Sequence, residues 1–166
     1  MAEQALALFG AIWEELSRLV PAYREFYLDN ERPGKSTDGD GLPYTLDSLV
    51  LEELDFLQIA FRAPPVKAEL DKQLKAAPNG PHTAAWLQDV IRLLVSYAQI
   101  PSEEQGLWEW DSNLYLCEAT SLTANYTPRA ACAELAVRGL SEWLRMVPIE
   151  AIQFYCQQSF QSPTVT

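Results

Sequence analysis

Apolar residues recur every three or four positions along most of this 166-residue chain, a spacing that predicts amphipathic helices. From Leu46 to Phe61, the residues Leu46, Leu49, Val50, Leu54, Leu57, Ala60 and Phe61 share one face, while Ser48, Glu52 and Asp55 mark the other. Thr45 suits the N-cap of that helix. A second helix is expected from about Ala84 to Ile100, with Leu87, Val90, Ile91, Leu94 and Ala98 inward and Thr83 as its cap. A third starts at Thr127 as N-cap with Pro128 at the first helical position, and runs to Val147 with Cys132, Leu135, Ala136, Leu140, Trp143 and Leu144 on one face. A fourth, Glu3 to Val20, opens the chain. No alternating strand pattern and no hairpin dipeptide stands between apolar runs.

The prolines divide this pattern. The segments RLVP, FRAPP, AQIP and RMVP place Pro21, Pro64, Pro101 and Pro148 at the expected ends of the four long helices, at intervals of 43, 37 and 47 residues. That spacing is close to the period of about 40 to 47 residues of HEAT and armadillo units, whose helix pairs stack into a superhelix. Shorter helical stretches, AYREFYL, VKAELDKQL and IEAIQFYC, follow three of the prolines. The expected fold is therefore all-α, an α-solenoid of about three to four HEAT-like helical repeats forming one segment over residues 1–166. Two stretches interrupt it: an acidic inter-helix loop at about 30–44 and an acidic aromatic segment at about 102–126.

Charge sharpens those two stretches. The net charge is −11, from 23 acids and 12 bases. Six acids and no base lie between Lys35 and Arg62: Asp38, Asp40, Asp47, Glu52, Glu53 and Asp55. Five more lie without a base between Arg92 and Arg129: Glu103, Glu104, Glu109, Asp111 and Glu118. The remaining acids and bases balance, so the excess charge belongs to two windows. A field of that sign repels nucleic acid and anionic membranes and favours basic partners. The alternative is that these acids only solvate the surface.

Hydrophobic residues make up 48% of the chain, enough for an ordered core, and no apolar run approaches the roughly 18 residues of a membrane span. No basic segment precedes the apolar N-terminal stretch, so neither a signal peptide nor an anchor is expected. Cys117, Cys132 and Cys156 form no CxxC pair, which argues against a disulfide framework or a zinc site and fits a reducing compartment. The sequon at Asn125 then has no secretory context.

Catalytic chemistry finds little support. His82 is the one histidine, and GxSxG, HExxH and a glycine-rich phosphate loop are all absent. The adjacent pairs Glu52–Glu53 and Glu103–Glu104 point about 100° apart on a helix, so neither forms a two-carboxylate acid/base site alone. The stretch STDGDGLPYTLD at Ser36–Asp47 has the Asp-x-Asp-Gly spacing of an EF-hand. Its first position is Ser36, its twelfth is the short Asp47, and Pro33-Gly34 breaks an entering helix. No enzyme, no cofactor and no metal site is expected, and Thr45 and Asp47 read better as the cap and first turn of a helix.

From Tyr97 to Leu140 the sequence resembles the importin-β (karyopherin) family. The resemblance rests on Leu107 and Trp108 closing a short helix, Asp111, Tyr115 and Leu116 at an Asp-x-x-x-aromatic-aliphatic turn, Glu118, then Tyr126, Thr127, Arg129, Ala131 and Leu135 in a Thr-x-Arg-x-x-Ala-x-x-Leu helix. Among subclasses it is most similar to the importin-nine type, and the acidic stretch and helix at Asp38–Phe61 look like the same subclass. The acidic run after the turn is poorer than is usual there, with Glu118 alone.

The resemblance implies a central HEAT-repeat segment of a nuclear transport receptor that shuttles between cytoplasm and nucleus and carries basic protein cargo such as core histones. No direct nucleic acid binding and no membrane insertion are implied. Ran GTPase is engaged mainly through the family's N-terminal repeats, which nothing here matches. The charge windows nominate Asp38, Asp40, Glu103, Glu104, Glu109 and Asp111 for cargo contact, with Trp108, Trp110 and Tyr115 as aromatic contacts to Lys or Arg stems. The competing reading is a structural scaffold segment whose aromatics pack between repeats.

Overall fold

The computed structural model describes residues 2–29, 45–111, 113, 116 and 127–161, with only the backbone of Glu103 and Gln161. Among the described residues every regular element is helical, as the periodicity predicts. Helix α1 spans Ala2–Tyr23, α2 Leu46–Arg62, α3 Pro64–Ala76, α4 Ala85–Tyr97 and α5 Ser102–Trp110. Helix α6, Pro128–Glu134, runs on through a π-helical stretch, Leu135–Ser141, and a last turn, Glu142–Leu144; α7 covers Val147–Gln161.

The core lies between α2 and α4, which α1 and α6 bridge, and α3 and α7 close it. Leu16, Leu54, Leu57, Leu87, Ile91, Leu135 and Tyr97 are fully buried. The apolar faces read from sequence for α2, α4 and α6 are the faces that pack, except that Leu49 of the α2 set is 45% exposed, and at about 25 cal/mol per Å2 of apolar surface they supply the main driving force for assembly. Two polar bonds tie distant helices together. The Tyr97 hydroxyl donates to the Leu16 carbonyl at 2.6 Å, and the Gln88 amide donates to the Ala151 carbonyl at 3.2 Å.

The prolines act in two ways. At Pro64 and Pro101 the expectation holds. α2 ends with Ala63 extended and Pro64 starts α3, while α4 ends at Tyr97 and Pro101 is the N-cap of α5. At Pro21 it fails, because the proline sits inside α1. Packing on either side keeps the chain helical: Leu16 and Tyr23 are buried, and the Tyr23 ring meets Tyr97 at 4.9 Å and Tyr27 at 4.8 Å. The missing proline amide removes one backbone bond, and just beyond it the helix widens into a π stretch over Arg24–Asp29. Pro148 also ends nothing. The preceding helix stops at Leu144 because Arg145 takes a positive φ of 56°, and Pro148 lies in the first turn of α7, where its missing N–H costs no bond.

The caps show the same mixture. Thr127 caps α6 as expected, its Oγ1 accepting the Ala130 amide at 3.3 Å with Pro128 behind it. Thr45 holds the N-cap position of α2, although its hydroxyl pairs with the Ser48 hydroxyl at 2.9 Å rather than with an amide. Thr83 is not the cap of α4. It belongs to a 3-10 turn, Pro81–Thr83, where its hydroxyl donates to the Gly80 carbonyl, and Ala84 takes the cap position. In the second π stretch Gly139 packs closely: a Cβ there would sit 2.9 Å from the Cδ1 tip of Leu135, which would have to shift.

One acid read as part of a charged window is in the core. Glu53 on α2 is 6% exposed, and its Oε2 has no hydrogen-bond partner. Burial, and then the Glu15 carboxylate on α1, push its carboxyl up to about 7, so near neutral pH this residue contributes less negative charge than the formal count assigns. The periodicity places Glu53 beside Leu54 and Leu57, but a residue count of charge is blind to the fact that α1 covers it.

Candidate functional site

The acidic aromatic segment begins with α5, a short helix that leans on the end of the first helix. Its Ser102 hydroxyl donates to the Leu28 carbonyl at 2.6 Å, and the Asp111 amide at its C-cap donates to the Leu107 carbonyl. This anchors one side of α5 and turns the other to solvent. Trp110 is 90% exposed, and Leu107, Glu109 and Asp111 are exposed beside it. The Glu109 carboxylate accepts from the Gln105 amide at 3.0 Å, and the Asp111 carboxylate accepts the Asn113 backbone amide at 2.9 Å. Neither acid has a basic partner among the described residues, so both keep their charge available.

Glu104 and Trp108 face the other way. The Arg129 guanidinium, held in the first turn of α6 just after Pro128, donates to Glu104 Oε2 at 2.9 Å and lies 5.4 Å above the Trp108 ring. The pair is partly shielded, with Arg129 side-chain exposure at 39% and Glu104 at 22%. Arg129 Nε is buried without a partner, so the guanidinium is held by one hydrogen bond and by the ring face. A basic side chain already occupies an acid and an aromatic ring at this spot.

Of the residues nominated from sequence, the structure brings Glu104, Trp108, Glu109, Trp110 and Asp111 together on one short element, in two groups. Trp108 and Glu104 meet Arg129; Glu109, Trp110 and Asp111 form an outward edge. Glu103 lies on the same helix, with its side chain outside the described residues. Asp38, Asp40 and Tyr115 lie outside them altogether, as do loop 30–44 and most of 112–126.

Sequence reasoning passed over a polar pocket behind α5. Tyr27 and Asp47 exchange two bonds there: the Tyr27 hydroxyl donates to Asp47 Oδ1 at 3.0 Å and accepts the Asp47 amide at 3.2 Å. Glu104, Arg129, Thr127 and Tyr23 complete a pocket of about 120 Å3. Burial, followed by the Asp47 carboxylate, raises the Tyr23 phenol above its ordinary range. Asp47 sits in the first turn of α2 as read from sequence, and no group of three metal-ligating side chains occurs among the described residues. The cysteines that can be described are unpaired: Cys156 is exposed, and burial pushes the Cys132 thiol up to about 12.

A family model described as the importin-9 central HEAT repeats matches residues 81–166, from the 3-10 turn before α4 through α7. The chain belongs to the importin-9 central HEAT-repeat family. It is thus an all-α, HEAT-repeat segment of an importin-9-like transport receptor, and the resemblance carried by Trp108, Asp111, Thr127 and Arg129 lies inside the matched span. The second resemblance, at Asp38–Phe61, falls before it. Comparisons with curated proteins and with solved structures return no match. In this importin-9-like segment the matched span holds all of α5 and α6, and so both the Arg129 clamp and the outward acidic edge. No described helix is long and apolar enough to cross a membrane.

Proposed function

We propose that this HEAT-repeat segment contributes a surface for basic protein cargo, of which core histones are the chemical type, within a receptor that shuttles between cytoplasm and nucleus. The observation that carries the reading is the outward edge of α5, where Trp110 stands almost fully exposed between Glu109 and Asp111, two acids without a basic partner among the described residues. Long-range attraction by unpaired carboxylates draws a basic chain in, and an exposed indole then holds a Lys or Arg stem by cation–π contact. The Arg129 clamp supports the chemistry, since it is an acid and an indole holding a guanidinium within the same helix pair. Glu103, Asp38 and Asp40 are proposed as further cargo contacts on charge alone, while Ran binds through parts of the receptor outside this chain. Direct nucleic acid binding is disfavoured by the sign of the charge.

A specific observation also favours the scaffold reading. Glu104 and Trp108 are spent on Arg129, so those two nominated residues hold α5 to α6. A pull-down of the segment on an immobilised histone dimer separates the readings. Binding at low salt that fades steeply as salt rises, and that the Glu109→Lys, Asp111→Lys double variant abolishes, is the expected result. Equal retention of wild type and double variant at every salt concentration would leave only the scaffold.

A further inference from the structure

The pocket behind α5 holds more polar capacity than its internal bonds use. Asp47 accepts from Tyr27 through Oδ1, and no described base lies within ion-pair distance of its carboxylate. Tyr23 lines the pocket, is 3% exposed, and its hydroxyl meets no partner among the described residues. That hydroxyl is not enclosed as Glu53 Oε2, Trp86 Nε1 and Arg129 Nε are, so it keeps access to the pocket and can bond a group that enters. Two carboxylates, Asp47 and Glu104, line the wall against one guanidinium, and that guanidinium is committed to Glu104 and to Trp108. The unpartnered Arg129 Nε–H is enclosed, so the groups left open are the second oxygen of Asp47 and the Tyr23 hydroxyl, and two carboxylates against one guanidinium leave the wall net negative. An anion would meet Asp47 unscreened, and the described residues offer no third ligand for a metal ion.

We infer that the pocket between Tyr23, Tyr27, Asp47 and Glu104 receives the cationic end of one lysine or arginine side chain from a basic partner. Its volume of about 120 Å3 suits a side-chain end and excludes a folded element. The ammonium or guanidinium donates to the open oxygen of Asp47 and to the Tyr23 hydroxyl, and Thr127 and Glu104 flank it. The pocket lies behind α5 and the exposed edge on its outer side, so the side chain that enters the pocket and the residues that meet Trp110 come from different parts of the basic partner. The inference rests on the basic-partner reading for the source of the side chain; the chemistry of the pocket stands on its own groups.

The test is 19F NMR of the chain carrying 3-fluorotyrosine, titrated with n-butylguanidinium, with n-butylammonium and with an alternating Gly-Arg octapeptide, each against sodium chloride at matched ionic strength. The Tyr23 and Tyr27 resonances, assigned by Tyr23→Phe and Tyr27→Phe, shift and saturate with the organic cations, and the octapeptide binds more tightly than either small cation. Asp47→Asn keeps an acceptor for the Tyr27 hydroxyl and weakens binding about tenfold, the scale of one charge-assisted hydrogen bond. Tyr23→Phe removes a hydroxyl that holds nothing in the free protein and, with Tyr27 as reporter, weakens binding about threefold. Shifts that sodium chloride reproduces, or that survive Asp47→Asn undiminished, overturn the pocket. Histone-dimer binding with silent Tyr23 and Tyr27 resonances also overturns it while leaving the α5 edge in place. Saturable shifts without histone-dimer binding support the pocket and count against the edge.

Discussion

Among the described residues, two places put a cation over a tryptophan beside a carboxylate. In the interior, Lys67 Nζ lies 5.2 Å from the Trp143 ring, whose indole N–H donates to Asp71 at 3.2 Å. That ring stacks on Trp86 at 5.8 Å, and Phe61 touches both. At the edge, Arg129 covers Trp108 and pairs with Glu104, and only two residues further on Trp110 is left in water. The chemical ingredients are nearly the same. What differs is the number of helices converging: α2, α3, α4 and the end of the α6 helix surround the inner cluster, whereas among the described residues α5 has neighbours on one side. The inner set is therefore packing with a polar rim, and the outer set leaves an acid–indole surface over.

That contrast breaks most readily by truncation. Trp143→Ala removes the ring shared by Lys67, Asp71, Trp86 and Phe61, and is expected to cost about 3 kcal/mol, lowering Tm by roughly 8 °C in a thermal melt. Arg129→Ala strands Glu104 in its partly shielded position and uncovers Trp108, for about 2 kcal/mol, whereas Lys67→Ala, at the solvent rim of the inner cluster, costs under about 1 kcal/mol. A reversed order for these two in chemical denaturation would mean that the edge clamp is incidental to the fold.

Glu53 gives the same comparison a pH axis. Below about pH 4.5 its carboxyl is neutral in both the folded and the unfolded chain; between there and about 7 only the unfolded chain releases the proton. Stability from this group is therefore full below about 4.5, falls as pH rises, and levels off above about 7. Glu53→Gln should flatten that part of the profile and stabilise the protein at pH 8 by about 1–2 kcal/mol once solvent screening is discounted, as read from denaturant midpoints at pH 5 and pH 8. The smallest expected change is Trp110→Ala, within about 0.5 kcal/mol in stability because the ring covers nothing, yet with a clear loss of histone-dimer affinity.

Much of the helical fold was legible because periodicity reports burial directly: the faces of α2, α4 and α6 follow from the spacing of Leu, Val and Ile, and the family motif from Trp108 to Leu135 falls in a span that the family model matches. Proline was a poorer guide. It lowers the stability of a helical turn locally, and at Pro21 the burial of Leu16 and Tyr23 outweighs that penalty. The site was half legible. Glu109, Trp110 and Asp111 stand out as acids and aromatics in a base-free window, but a window ends at Arg129 by definition, so it could not show that Arg129 folds back onto Glu104. The Tyr23–Asp47 pocket joins residues from α1, α2, α5 and α6, and no local signal marks such a convergence. Glu53 was misplaced for the same reason, since its covering helix lies far away in sequence.

A basic protein is proposed to dock on the acid–indole edge of α5, where Glu109 and Asp111 have no basic partner among the described residues. Hydrogen–deuterium exchange of the segment with and without a histone dimer at low salt tests it directly. Slowed exchange is expected in residues 104–111 and the adjoining first turn of α6, and is expected to be lost when Glu109 and Asp111 are changed to lysine. Protection that leaves α5 untouched and falls on the outer faces of α1 or α3 would contradict it.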